Sequence, residues 1–209
     1  MMYFTCDAPV ARGLPGLGLM LTPQKNNERQ IRQYDTWAAD NGCFTQGDRF
    51  SLPGYLAWLK RLRPYQRNCQ FAVAPDVVGD ARATIARSLP VLPQIRALGY
   101  PAAFVAQDGL EDLDVPWDAF DVLFIGGGTE WKLSDAAASV VSEAKRQGKW
   151  AHMGRVNSLK RLRAAQGMGC DSCDGTMVAR KPDARVAQLV GWLATVERQP
   201  ALAFWECVA

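Results

Sequence analysis

The chain has little of what most metal, redox and export functions require. Histidine occurs once, at His152, and Cys170 and Cys173 make the single C-x-x-C pair, with Cys6, Cys43, Cys69 and Cys207 scattered far from it. A closed structural zinc site takes four Cys or His ligands. Here it would have to recruit distant thiols, so no metal is expected. Six dispersed cysteines in 209 residues also do not make a small disulfide scaffold, and reduced, partly buried thiols are the expectation. No run of about 18 apolar residues exists, and Met1-Met2-Tyr3-Phe4 leads into Thr5 and Asp7 without a basic segment. A soluble, unexported protein with no membrane partner follows. The glycine run Gly126-Gly127-Gly128 continues as Thr129-Glu130, which is neither a P-loop nor G-x-G-x-x-G. With no repeat, low-complexity tract or long linker, residues 1–209 read as one domain.

What is present is a series of short apolar runs suited to strands: Met2–Thr5, Leu17–Leu21, Thr36–Ala39, Gln70–Ala74, Ala102–Ala106, Val122–Ile125, Trp150–Met153 and Cys170–Asp174. Amphipathic stretches lie between several of them. Ser51–Arg63 sets Leu52, Leu56, Leu59 and Leu62 on one stripe, the spacing of a helix face. Asp80–Leu98 has a helical pattern broken by Pro90 and Pro93, so a kink or break is expected. Trp131–Gln147, Asn157–Gln166 and Pro182–Glu197 complete the helices, with Asn157 and Asp183 where a cap or first-turn acid belongs. Strands alternating with helices predict an α/β fold with a parallel sheet, a compact TIM-like (β/α)8 barrel, with an open doubly wound sheet as the rival.

Charge is unevenly spread. Lys145 to Arg185 carries ten basic and three acidic residues, a local +7, whereas Asp108 to Asp121 holds six acids and no base. Such polarity suits one face turned to phosphate, or a solvated basic helix surface. Polar residues also collect at the strand ends, where barrel chemistry sits. In order they are Asp40-Asn41-Gly42-Cys43-Phe44, Pro75-Asp76, Gln107-Asp108-Gly109, Gly126 to Glu130, Met153-Gly154-Arg155 and Asp174. In the last of these, Cys170-Asp171-Ser172-Cys173-Asp174, strand alternation puts Asp171 and Asp174 on opposite faces, so one alone can look into a common site. Each residue has a structural explanation as a turn former or cap; their coincidence at six successive strand ends points to a site.

The ordered set Asp40-Asn-Gly-Cys-Phe44, Phe124-Ile-Gly-Gly-Gly-Thr-Glu130, His152-Met-Gly-Arg155 and Gly169-Cys-Asp-Ser-Cys-Asp174 resembles the tRNA-guanine transglycosylase superfamily. It is most similar to the short, phage-type DNA-guanine transglycosylases that insert 7-deazaguanine bases into DNA. The resemblance spans roughly residues 35–178. It implies that Asp174 is the nucleophile, Asp171 structural and Asp40 the acid/base carboxylate. It further implies that Asp76 holds the N1 and N2 edge of guanine, that Gln107 reads its carbonyl side, that Gly126 and Gly127 bring backbone to O6, and that Met153 stacks on the base. Phe44 is a second stacking candidate, and Arg155, Lys160 and Arg161 are candidates for phosphate contact.

The chemistry is coherent with those residue types. Guanine's Watson–Crick edge presents two donors and an acceptor, which asks for a carboxylate and a donor. A flipped base needs aromatic or thioether surface in place of lost stacking. The implied reaction is a double displacement: Asp174 attacks the sugar C1′, guanine leaves, and a replacement base deprotonated by Asp40 displaces Asp174 with retention. It needs no cofactor. The tRNA enzymes carry a zinc-binding Cys/His cluster after the nucleophile, whereas this chain has only Cys207 there. A barrel without a zinc subdomain is therefore expected, with DNA and a free 7-deazaguanine base as partners and tRNA as the alternative, in the cytoplasm of a bacterium or phage-infected host. Other readings are an N-glycosylase or nucleoside hydrolase on the same barrel and a non-catalytic nucleic-acid-binding barrel.

Overall fold

The computed structural model describes residues 1–24 and 28–198; Cys207 lies outside them. Eight strands, β1 (Met2–Thr5), β2 (Leu17–Leu21), β3 (Trp37–Ala39), β4 (Cys69–Val73), β5 (Ala102–Ala106), β6 (Val122–Ile125), β7 (Trp150–Met153) and β8 (Ser172–Gly175), form a closed barrel in sequence order. Every neighbouring pair is parallel, and β1 closes on β8 with Met2 opposite Ser172 and Phe4 opposite Asp174. The helices are α1 (Glu28–Ile31), α2 (Cys43–Gln46), α3 (Leu52–Leu62), α4 (Ala81–Ser88), α5 (Leu92–Ala97), α6 (Thr129–Lys132), α7 (Asp135–Arg146), α8 (Leu159–Gly167) and α9 (Pro182–Arg198). None is long and apolar enough to cross a membrane among the described residues. The TIM-like (β/α)8 fold is thus the architecture of the chain, and the open-sheet alternative is excluded by the β1–β8 ladder.

At four places where the elements depart from the sequence expectation, local hydrogen bonds and caps account for it. The last strand begins at Ser172 rather than Cys170 because the Cys170 N–H donates to Ala165 O at the end of α8, with Gly169 at φ 87° turning the chain. The helical pattern of 80–98 divides at Leu89–Val91. Asp80 caps α4 by accepting from Ala83 N, and Pro93 falls in the first turn of α5, where its missing N–H is harmless. The stretch after β6 divides too: Ser134 caps α7, leaving α6 as a separate four-residue turn. Ser158, not Asn157, caps α8; the Asn157 side chain instead accepts from Thr176 N at 2.8 Å and ties the β7 and β8 loops together.

Two apolar layers follow. Phe4, Ala38, Phe71, Val73, Ala103, Val105 and Val122 fill the barrel, and the larger cluster between strands and helices includes Leu19, Trp37, Leu123, Ile125 and Met153. Packing inside depends on small residues facing rings: a Cβ on Gly18 would come within 2.7 Å of the Phe4 ring. Among the described residues Cys6, Cys43, Cys69, Cys170 and Cys173 are unpaired thiols, and all but Cys6 are buried. Burial pushes the thiols of Cys170 and Cys173 up, so they stay protonated and act as small apolar side chains.

Candidate active site

Three carboxylates stand at the C-terminal mouth of the barrel. Asp40 follows β3 and accepts from Gly42 N at 2.9 Å; the turn is possible because Gly42 sits at φ 74°. Asp76 follows β4 and is gripped from two sides. Its Oδ1 accepts from Asn41 Nδ2 at 3.0 Å and its Oδ2 from Gln107 Nε2 at 2.7 Å. Asn41 is itself fixed, donating to Ala74 O at 2.8 Å and accepting from Cys43 N at 2.6 Å. Asp174 ends β8. The three groups feel one another: burial first, then the charges of Asp174 and Asp76, push the Asp40 carboxyl up to about 6 against the hydrogen bonds from the Gly42 and Asn41 backbone. A carboxyl so tuned can both give and take a proton near neutral pH. Among the described residues no three His, Cys, Asp or Glu side chains are grouped to hold a metal ion.

Asp174 is held from inside the barrel by a polar column. Trp150 Nε1 donates to Ser172 Oγ at 2.8 Å, Ser172 Oγ lies 2.8 Å from His152 Nδ1, and His152 Nε2 lies 3.1 Å from Asp174 Oδ1. With an acceptor carboxylate facing Nε2, the proton belongs on Nε2, and the serine hydroxyl donates to Nδ1. Burial pushes the imidazole below its usual value despite the nearby carboxylate, so the ring is neutral and donates one hydrogen bond. Ser, His and Asp in a row suggest a hydrolytic triad, but the accessible end is the wrong one. Ser172 and His152 are fully buried, while Asp174 keeps 18 % of its side chain exposed. The column orients a carboxylate; it does not activate a hydroxyl. Asp171 points the other way, as alternation requires, and pairs with Lys145 Nζ at 2.6 Å while accepting from Ala151 N.

Across the mouth from Asp40 and Asp76, and next to Asp174, the β6 and β7 ends carry cations. Lys132 on α6 is buried to 1 % exposure, and its Nζ donates to Gly154 O at 2.7 Å. Burial first, then the charges of Arg155 and Arg161, lower its ammonium to about 7, with Asp174 pulling the other way. Arg155 has a left-handed backbone, φ 61°, held by Arg161 Nη1, which donates to Arg155 O at 3.0 Å. Its Nη2 donates to Gly126 O and Gly127 O, and its guanidinium carbon lies 5.7 Å from the Phe44 ring centroid. Phe44 follows β3 and Arg155 follows β7, strands on opposite sides of an eight-stranded barrel. The cation–π contact therefore straps the mouth.

Several sequence expectations are corrected by these positions. Met153 is fully buried in the outer layer, because Trp150 and His152 take the inward positions of β7 and alternation sends Met153 out; it cannot stack on a ligand in the mouth. Gly126 N and Gly127 N both donate to Ala106 O, and Gly128 N to Asp108 Oδ1, so the glycine corner offers no N–H to O6. Its small size is needed for packing: a Cβ on Gly126 would come within 2.5 Å of Val105 Cγ1, and one on Gly127 would collide with Trp131 and Asp108. Gln107 is 2 % exposed with Oε1 accepting from Gly79 N at 3.0 Å; with both ends occupied it positions Asp76. Arg155 and Arg161 are spent on carbonyls, and Arg161 also on Thr129 Oγ1, which leaves exposed Lys160 as the phosphate candidate at the rim. Phe44, 71 % exposed, is where stacking surface is available.

His152, Lys132 and Asn41 escaped the sequence reading. For His152 the available signal was its place two residues after Trp150, on one face of a strand. A separate cleft of about 430 Å³ lies outside the barrel between the β5 loop and α7, lined by Leu110, Glu111, Trp117 and Glu143 among others. Its acids are engaged, Glu111 accepting from Trp131 Nε1 and Glu143 from Arg146, and it shares nothing with the mouth. No protein-family model matches the chain, and no curated protein matches it.

Proposed function

We propose that the protein exchanges guanine in DNA for a 7-deazaguanine base, through a covalent ester between the sugar C1′ and Asp174. The observation that carries this reading is the electrostatic convergence of Asp40, Asp76 and Asp174 on one barrel mouth. Asp174 Oδ1 is occupied by His152, and Oδ2 is left to attack C1′. Asp40, with its carboxyl near 6, gives a proton to the leaving base and recovers one from the base that enters. Asp76, fixed by Asn41 and Gln107, accepts from the N1 and N2 donors of the purine. Phe44, 71 % exposed at the rim, supplies the stacking face.

The test is covalent trapping together with label exchange. Purified protein mixed with guanine-containing duplex DNA and labelled guanine should incorporate label and yield a protein–DNA adduct on denaturation. Asp174→Asn should lose both. An adduct that persists in Asp174→Asn, or release of base with no uptake of label, overturns the exchange reading; the second outcome describes a glycosylase. The same assay with tRNA and single-stranded DNA identifies the polymer.

A further inference from the structure

Lys132 is a buried amine at the mouth that the proposed exchange leaves unused. Its Nζ donates to Gly154 O at 2.7 Å, and an ammonium has three donors. Gly154 also borders the nucleophile, since a Cβ there would lie 3.3 Å from Asp174 Oδ1. Lys132 and Asp174 therefore flank one small residue, and the charge of Asp174 acts on the amine. The groups facing Lys132 are Arg155, Arg161, Asp174 and Asp108, with His152 beneath. A surface lysine is almost wholly protonated at neutral pH, whereas an amine lowered to about 7 is neutral, and nucleophilic, for about half the time there.

We propose that Lys132 is a second nucleophile of this site, forming an imine with the open-chain C1′ aldehyde of a deoxyribose that has lost its base. The inference rests on the reading above in that it takes Asp174 to face C1′. Its occasion is the failure of exchange. When water rather than a replacement base cleaves the glycosyl ester, the sugar is left as a hemiacetal in equilibrium with the aldehyde. The neutral amine of Lys132 adds to that carbonyl carbon. The carbinolamine then loses its oxygen as water, so that one C–N double bond replaces the C–O double bond and no oxidant or reductant is consumed. Arg155 and Arg161 hinder protonation of the amine, and Asp174 is placed to accept and return protons during dehydration. The site would thus hold an abandoned abasic sugar instead of releasing it.

The experiment uses the full chain and a duplex with one abasic site, made by enzymatic removal of uracil, with sodium cyanoborohydride as hydride donor to convert the imine to a stable secondary amine. Peptide mass mapping should assign the adduct to Lys132, and trapping should rise severalfold as pH climbs through about 7. Lys132→Met, checked for native circular dichroism, should lose the adduct. Mapping of the unaltered protein decides the matter even if that variant fails to fold. Absence of an adduct, or adducts only on Lys160 or the Met1 amino group, overturns the proposal. Guanine uptake is read in parallel: uptake without a Lys132 adduct sinks the imine alone, and a Lys132 adduct without uptake sinks the exchange reading alone.

Discussion

Replacing Asp40 by Asn should make the protein more stable at neutral pH while removing its proposed acid/base group. The folded state raises this carboxyl from 3.8 to about 6, by burial and by the charges of Asp174 and Asp76. At about 1.36 kcal/mol per unit the full penalty for ionising it in the fold is about 3 kcal/mol, reduced to about 1–2 by solvent screening at a part-exposed mouth. Because the folded value lies above the unfolded one, the folded state binds more protons between the two, and stability falls as pH rises from about 4 to about 6 and stays lowered above that. Asn has no charge to desolvate, and its Oδ1 can still accept from Gly42 N. Thermal unfolding followed by circular dichroism should give Asp40→Asn a melting temperature about 3–6 °C above the parent at about pH 7.5, and no gain at about pH 4. An equal gain at both pH values, or a loss at the higher one, refutes the electrostatic account of the mouth.

The remaining expectations concern the groups around Asp40. Gln107→Leu strips Asp76 of its 2.7 Å hydrogen bond and leaves the Gly79 N–H unpaired, so urea unfolding should show a loss of about 2–4 kcal/mol and exchange assays a raised KM for the base. Gly154→Ala brings a methyl within 2.7 Å of Phe124 Cε1 and 3.3 Å of Asp174 Oδ1; kcat should drop about tenfold or more, the cost of about 1.4 kcal/mol in transition-state alignment, with KM little changed. The exchange rate should peak near pH 6, where Asp40 spends comparable time in each form; a rate flat from about pH 5 to about pH 8 excludes Asp40 as the proton carrier.

The barrel was legible because its strands are short apolar runs punctuated by turn residues, and because polar groups recur at one end of each run. Five of the eight strands have the residues the sequence pattern assigns them. The direction of side chains along those strands was not legible, for a physical reason. A barrel strand is buried on both faces, so in Trp150-Ala151-His152-Met153 apolarity gives no sign to tell inside from outside. The resemblance makes Met153 the stacking surface and gives His152 no role, whereas His152 faces the barrel interior and Met153 the outer layer. Acids at strand ends were readable, since a carboxylate beside a turn is conspicuous. Lys132 was not, because a lysine after Thr129-Glu130-Trp131 reads as a wet helix face, and only the stop of α6 after four residues folds it back over the mouth. The glycine corner misled for the same kind of reason: sequence registers small residues, while which N–H groups remain unpaired depends on the Ala106 carbonyl at the end of the preceding strand, β5.

Charge at the mouth is divided by strand. Asp40 and Asp76 come from β3 and β4, whereas Lys132 and Arg155 follow β6 and β7, with Arg161 reaching in from α8. Asp174 belongs to β8, next to β7 in the barrel and in contact electrostatically with both groups, since it raises Asp40 and raises Lys132. A guanine nucleotide is divided in the same way, into a base edge that presents N1 and N2 donors and a sugar-phosphate rich in anionic oxygen. A nucleotide in the proposed reaction would set its base toward the acids and its backbone toward the cations, and the bond joining those halves is the glycosidic bond. In that proposed orientation the boundary of the charge pattern would fall at the carbon that Asp174 is proposed to attack. With Arg155 held by the Gly126 and Gly127 carbonyls, a phosphate arriving near β7 in that orientation would meet exposed Lys160.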